Sequence, residues 1–404
     1  MNALLRPKVQ LAIAAAIFLA YLLFVALLHY QGRQQAAEGG TPFFNDFTSN
    51  YAASQMLRNQ PAANLYLEEH LYPAERAAAN AAYGGTLSDP QTRIHGYAAW
   101  LYPPLFILLC LPLAAFSHLT AYLLWLLVTA VPYVAAVRQI LPARYAWPLV
   151  LAAPPTFFNL IYGQTGYLTA GLIGLGLSLL QRYPTLAGIC IGCAAFKPQF
   201  GILIPFALLA GRFWWPFVVA TTTVIASIAA SIIAFGDDPW FAFIGTQLRN
   251  FDGFAAGAYN LNAMVTPFSA IRLAGASIDQ AWAGQGLISL LMLGLTLWSW
   301  GFGARRDPHF CLRPALLCCA ALLATPMAYL YDLPLLVLAA AWLLLDMQKE
   351  NFRKAEPILL LGALSLTLGL KEIAVTTHLQ LGPLLSALLL LQGLYRMGTH
   401  QSAR

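Results

Sequence analysis

VQLAIAAAIFLAYLLFVALLHY, residues 9–30, decides the class of this chain. The run carries no Asp, Glu, Lys or Arg and is long enough to cross the ~30 Å of a bilayer's hydrocarbon. It follows Arg6 and Lys8, as a signal peptide would, but its apolar part is too long and Gly39-Gly40 is a poor cleavage site. It therefore reads as a retained span with the N-terminus in the cytoplasm, the side that Lys and Arg favour.

Similar runs recur to the end of the chain. With 59% apolar and 9% charged residues, the composition excludes an ordinary soluble globule, which carries about 25% charged residues. The net charge of +6 is a topology signal, because the basic residues stand singly or in twos and threes at the ends of apolar runs. They form no basic stripe, so no nucleic-acid partner is expected. The cysteines (Cys110, Cys190, Cys193, Cys311, Cys318, Cys319) sit in or beside apolar runs. They read as small packed side chains, not as a disulfide framework. Neither a zinc spacing nor a phosphate-cradling loop occurs, and no metal or cofactor is expected. Gly171, Gly174, Gly176, Gly188 and Gly192 lie inside apolar helices, where small residues let helices approach closely.

Placing Arg6/Lys8, Arg138/Arg144, Arg182, Arg212, Arg305/Arg306/Arg313, Lys349/Arg353/Lys354 and Arg396/Arg404 on the cytoplasmic side threads the chain. Spans then fall near 9–30, 101–137, 146–161, 166–181, 183–197, 198–211, 213–235, 286–304, 314–330, 333–348, 357–373 and 379–396. Residues 101–137 are too long for one crossing, and Ser117-His118 offers a turn between two; residues 198–211 are short for one. The expectation is an all-α integral membrane protein of about 10 to 13 spans, one membrane domain over residues 1–404. Two outer loops, 31–100 and 236–285, form a cap. The first is predicted to hold a helix over Phe47–Asn59, a break at Pro61 and an Ala-rich helix over Ala74–Tyr83. Neither has apolar residues enough for a core of its own, so both should lie on the spans.

This threading, drawn from Lys and Arg, sends the unusual polar residues to one face: Asp46, Gly163-Gln164, Lys197-Pro198-Gln199, Asn260/Asn262 and Tyr331-Asp332. Ionisable residues at membrane depth are costly and usually functional. Lys197 interrupts an apolar run with no acidic residue between Asp89 and Asp237. Its partner must come from a distant loop, from Asp332, or from a lipid phosphate.

In order along the chain stand an acidic residue in a large first outer loop, Asn64-Leu65-Tyr66, Trp100-Leu101-Tyr102-Pro103-Pro104, Ile161-Tyr162-Gly163-Gln164-Thr165-Gly166, Ala195-Phe196-Lys197-Pro198-Gln199 and Tyr331-Asp332. This order over roughly residues 1–345 resembles glycosyltransferase family 87, multispan enzymes of the GT-C architecture. Members of that family include mannosyltransferases that take mannose from polyprenyl phosphate. The resemblance implies a GT-C-type helical bundle in the bacterial inner membrane, an active site facing the periplasm, a polyprenyl-phosphate-linked hexose donor, and a lipid or glycan acceptor. Where family members often carry Asn followed by Ser, this chain has Tyr259-Asn260-Leu261-Asn262-Ala263, so that role stays open between Asn260 and Asn262.

The chemistry can be derived without the name. A sugar on a lipid monophosphate already has a good leaving group. Its displacement needs a base for the acceptor hydroxyl, a cation for the departing phosphate, and groups that orient the sugar. Asp46 suits the base. Lys197, Arg249 or Arg272 suits the phosphate, and one or two basic side chains neutralise it without a metal. Gln164, Gln199, His95, Tyr102, Asn260, Asn262 and Asp332 are the candidates for orienting substrate.

Each residue has a plainer alternative. Asp46 can cap a helix beginning at Phe47, Lys197 can snorkel to the boundary, Gln164 can satisfy backbone at a span junction, and Asp332 can pair with a basic residue. Tyr66, Tyr72, Tyr97, Trp100 and Tyr102 can form an interfacial aromatic belt. A transporter of a lipid-linked or small substrate is the rival function. The unmatched halves of the chain and polar residues gathered at one boundary favour an interfacial enzyme over it.

Overall fold

The computed structural model describes residues 7–38, 45–84, 99–255, 259–301, 310–350 and 352–402. Helix α1 (Pro7–Ala37) is followed by α2 (Phe47–Met56) and α3 (Glu68–Tyr83), and then by α4 (Pro104–Cys110) and α5 (His118–Ile140). Next come α6 (Ala143–Ala152), α7 (Pro154–Tyr162), α8 (Gly166–Leu179), α9 (Pro184–Cys193), α10 (Pro198–Gly201), α11 (Ile204–Ala210) and α12 (Trp214–Phe235). The second half holds α13 (Asp238–Ala255), α14 (Pro267–Leu273), α15 (Ile278–Gly301), α16 (Leu312–Ala324) and α17 (Pro334–Lys349). The chain closes with α18 (Ala355–Leu366), α19 (Leu370–Thr377) and α20 (Gly382–Ser402).

Segments Pro7–Ala37, His118–Ile140, Trp214–Phe235, Ile278–Gly301, Leu330–Lys349 and Ala355–Thr377 are long and apolar enough to cross a membrane. Shorter apolar helices cover Pro104–Ala115, Gly166–Leu179, Pro184–Phe196, Pro198–Ala210 and Leu312–Ala324. The molecule is a multi-pass, all-α membrane protein.

Proline explains why so many apolar runs are cut short. Pro104, Pro154, Pro184, Pro198, Pro267 and Pro334 each open a helix. The missing N–H costs nothing at that position, while the residue before proline is pushed out of helical geometry. The expected span 146–161 is therefore broken at Ala153, which is extended (φ −62, ψ 128). Residues 101–137 resolve into two pieces. A 3-10 turn, Leu111–Ala115, ends the first, and the Ser117 side chain caps α5 by accepting from Thr120 N–H.

Four boundaries differ from those expected, the first being the start of α3, which lies at Glu68 and not at Ala74. Helix α1 runs on to Ala37, because Ala36 packs on Ala82 and Tyr83 of α3 and so holds the polar last turns. Helix α2 ends at Met56 rather than Asn59. The second connection ends at Ser277, not at 285. Ser277 and Gln280 exchange side-chain-to-backbone hydrogen bonds that start α15 there.

The first connection shares a core with the helices beneath it. Phe47, Tyr51, Leu65, Tyr66 and Leu71 bury against Trp100, Phe106, Tyr122, Trp125 and Phe196. Tyr66 and Trp100 are each 2% exposed, which removes them from any aromatic belt. Phe254, Met264 and Phe268 of the second connection bury against Ala281 of α15, with Met327 and Tyr329 packed on them. One strand-like contact ties the connection down: Met264 and Tyr329 form an antiparallel bridge, with Val265 N–H on Ala328 O at 2.8 Å.

The main core is built around α16 and α17, which are buried on nearly every side. At the end of α17 farthest from Pro334, Asp346 and Glu356 hold Arg396 at 2.5 and 2.6 Å. All six cysteines are free thiols.

Candidate active site

A five-residue turn, Tyr162-Gly163-Gln164-Thr165-Gly166, builds the site. Gly163 ends α7 in the left-handed region (φ 60), its N–H on Asn159 O at 2.9 Å. A side chain there would be strained, and its Cβ would meet Phe47 Cβ at 2.6 Å and Tyr122 at 2.7 Å. The absent side chain is what lets Phe47, and with it Asp46, lie on this turn. On the other side, a Cβ at Gly166 would sit 1.6 Å from the Tyr331 carbonyl oxygen. Two glycines thus draw segment 45–47 and segment 329–332 onto opposite flanks of Gln164.

The hydrogen bonds fix how Gln164 is turned. Tyr102 hydroxyl donates to its Oε1 at 2.6 Å, and Thr165 N–H does so at 3.2 Å. Two donors on one atom identify it as the carbonyl oxygen. The amide nitrogen then points to Asp46 and donates to Oδ2 at 3.0 Å. Asp46 stands at the N-cap position of α2, yet its side chain makes no capping bond. The cap alternative is overturned: φ −64 and ψ −20 turn the carboxylate away from the helix and toward Gln164. Oδ1 receives no hydrogen bond among the described residues and is open to a ligand. Burial pushes this carboxyl up to about 6, opposed by the Gln164 hydrogen bond and by the Lys197 charge, and reinforced by Asp332.

Pro198 decides where Lys197 goes. Before a proline, Lys197 leaves helical geometry (φ −122, ψ 73), and its side chain runs to Asp332 at 2.6 Å. Of the three partners open to it in sequence, the structure selects Asp332. The ammonium also lies 5.0 Å from the centre of the Tyr331 ring. Asp332 Oδ2 accepts from Tyr329 N–H at 3.0 Å, so both carboxylate oxygens are held.

The other expected residues divide. Tyr102 joins the cluster through Gln164. Asn262 is half-buried beside the Met264–Tyr329 bridge, and its backbone carbonyl accepts from Gln380. Asn260 is exposed, and Gln199 is half-buried on α10 with no hydrogen bond to the cluster. Arg249 donates to Thr246 three residues earlier on its own helix. Arg272 donates to Ala276 O and closes the C-terminus of α14, where orphan carbonyls need a donor. Each of these arginines thus has one N–H group in a local bond, and neither shows a hydrogen bond to the cluster around Gln164. His95 lies outside the described residues, as do Tyr97, Arg305, Arg306 and Arg404.

Two residues escape a reading of sequence. Asn159, fully buried, donates to Tyr331 O at 2.8 Å while its Oδ1 accepts from Tyr167 N–H at 3.2 Å. It ties α7, α8 and the Asp332 segment together; an amide inside an apolar stretch was the available signal. Tyr329 stacks on Tyr331, ring centres 5.4 Å apart. Its signal was the Tyr-Leu-Tyr-Asp run itself.

The assembled group comprises a half-buried carboxylate with one open oxygen, an oriented amide, a lysine–carboxylate pair and three tyrosines. Such a set can accept a proton and hold an anion side by side. The family model for glycosyltransferase family 87 matches residues 100–326. The match includes Tyr102, Gln164 and Lys197; Asp46 precedes it and Asp332 follows it. No curated protein and no solved structure matches the chain. With more than half of its 404 residues inside the family match and helices fit to cross a bilayer, the chain belongs to glycosyltransferase family 87 and is a multi-pass membrane glycosyltransferase.

Proposed function

We propose that the enzyme moves a hexose, mannose in the first instance, from a polyprenyl-phosphate donor to a hydroxyl of a lipid or glycan acceptor, with inversion. The carrying observation is the Asp46 carboxylate, held at Oδ2 by Gln164 and open at Oδ1. The acceptor O–H gives its proton to Oδ1 while its oxygen attacks the anomeric carbon opposite the phosphate. The bond from that carbon to the phosphate oxygen breaks, and the electron pair leaves with the polyprenyl phosphate. A raised carboxyl near 6 is a better proton acceptor than an ordinary aspartate and is still ionised at neutral pH.

Lys197 receives the departing phosphate. One of its three N–H groups is committed to Asp332 and two remain for oxygen ligands. Each of those two N–H groups can hold one phosphate oxygen, and no step is assigned to a metal. Orientation of the sugar is assigned to Tyr102, bonded to Gln164, and to Tyr331, whose ring faces the Lys197 ammonium.

The site faces the outside of a bacterial inner membrane, by the same charge bias that threads the chain. Helix α5 begins beside Asp46 and carries Arg138 in its last turn. Helix α8 begins at Gly166 and leads to Arg182, α16 begins at Arg313 and leads toward Asp332, and α17 runs from there to Lys349. In each, the basic residue is at the end away from the cluster. The test is transfer by the purified full chain in nanodiscs, from a panel of radiolabelled polyprenyl-phosphate-linked hexoses to a native membrane lipid extract. Transfer supports the reading. Movement of labelled lipid across vesicles without transfer replaces it with transport.

A further inference from the structure

Behind Asp46 lies a chain of hydrogen bonds that the proposed mechanism does not use. Thr48 hydroxyl donates to Asn45 Oδ1 at 2.8 Å, and His118 Nε2 lies 3.3 Å from the same Thr48 oxygen. A hydroxyl has one proton, and here it is spent on Asn45. The imidazole must therefore be the donor, with its hydrogen on Nε2 and none on Nδ1. That bare Nδ1 is buried and has no partner. His118 is 5% exposed, Thr48 fully buried and Asn45 7% exposed. The ring is fixed by edge contacts to Phe47 and Tyr51, centres 5.4 and 5.0 Å away.

We propose that His118 and Thr48 are positioning residues for Asp46, their hydrogen bonds fixing the Asn45 turn from which the carboxylate reaches Gln164. This rests on the reading of Asp46 as the base. The rest of α2 has separate anchors, with Tyr51 hydroxyl on Phe116 O at 3.0 Å and Ser49 hydroxyl on Glu75 at 2.7 Å. Among the described residues, Thr48 is the side chain that holds Asn45, the residue directly before Asp46. Burying an imidazole with one nitrogen unsatisfied is costly, and the geometry it secures lies next to the reacting oxygen.

Two pairs of variants and one control in the full chain test this with the same hexose panel. Thr48→Val and His118→Phe keep shape and lose the donor chain; Thr48→Ser and His118→Gln keep a donor; Asp46→Asn is the control. A base displaced by ~1 Å costs up to about 10²-fold. The expectation is a kcat at least tenfold lower for Thr48→Val and His118→Phe, with KM unchanged. The acid limb of the pH–rate profile should move upward, because a displaced Asp46 loses the Gln164 hydrogen bond. Thr48→Ser and His118→Gln should restore most of the rate. Wild-type kcat and acid limb in both donor-deleted variants overturn the proposal. Loss of folded protein in both also overturns it, assigning the network to stability alone. Wild-type turnover by Asp46→Asn instead overturns the reading beneath it.

Discussion

Replacing Asp46 with asparagine separates the catalytic from the structural content of this site. The carboxyl sits at about 6 against an ordinary 3.8, a difference of ~3 kcal/mol at about 1.4 kcal/mol per pH unit. The sign follows from linkage. An acid harder to ionise in the folded protein favours the unfolded chain as pH rises through its unfolded value. That cost is complete above the folded value. Asp46→Asn removes the charge and keeps an oxygen for Gln164 to donate to. It should match wild type in stability below about pH 4 and exceed it by up to ~3 kcal/mol above about pH 7. Transfer should fall by the ~10²–10⁴-fold of a lost base. Wild-type turnover should drop about tenfold per pH unit below 6, the ionised fraction being roughly one-tenth at pH 5. Apparent melting temperatures at pH 4, 6 and 8, set beside initial transfer rates, measure both effects. A variant that gains no stability between pH 4 and pH 8 shows that the carboxylate is well solvated. One that retains turnover within tenfold moves the base elsewhere.

Gln164→Leu deletes the donor that lowers the Asp46 value, so the acid limb of the rate profile should rise above 6; an unmoved limb would separate Gln164 from Asp46 in solution. Lys197→Met leaves Asp332 buried with no cation and should cost ~3–5 kcal/mol, most of it recovered in Lys197→Met/Asp332→Leu; thermal melts of the three variants decide it. Gly166→Ala must displace the Tyr331 carbonyl and should cost ~1–3 kcal/mol or more, with transfer falling in parallel because Asp332 follows Tyr331. Cysteine placed at Gln60 should react with an impermeant maleimide added outside cells, and at Arg182 should not; the reverse pattern would invert the threading.

The membrane class and the helices of the first connection were legible in sequence because hydrophobic runs and proline act locally. The break at Pro61 and the helix end at Tyr83 read correctly for that reason, whereas the start of that helix at Glu68 did not. The cluster was legible as a set of polar residues at one boundary, since charge bias orders the ends of spans. Boundaries at Ala37 and Ser277 were not. The first depends on an apolar contact with α3 and the second on a polar cap, in stretches that composition assigns to loops.

Residue roles divide along the same line. Asp46 and Lys197 stand out in any reading, because an ionised group near lipid is conspicuous whatever it touches. What they touch is a matter of distance in space. Asp46 is a natural helix cap by position, and its carboxylate meets Gln164 instead because Phe47 packs closely on Gly163. Lys197 had three partners open to it, and Asp332, 135 residues away, became its partner through the close approach of Gly166 to Tyr331. Arg249 and Arg272 looked as suitable for phosphate as Lys197, and only the structure shows that each bonds locally while Lys197 meets the Asp332 carboxylate. Sequence by itself determined the solvent this chain folds in, the periodic breaks in its helices and the residues too costly to be idle. Tertiary structure decided which of those residues meet, because a hydrogen bond forms within about 3 Å, and local sequence carries no information on that scale about segments a hundred residues apart.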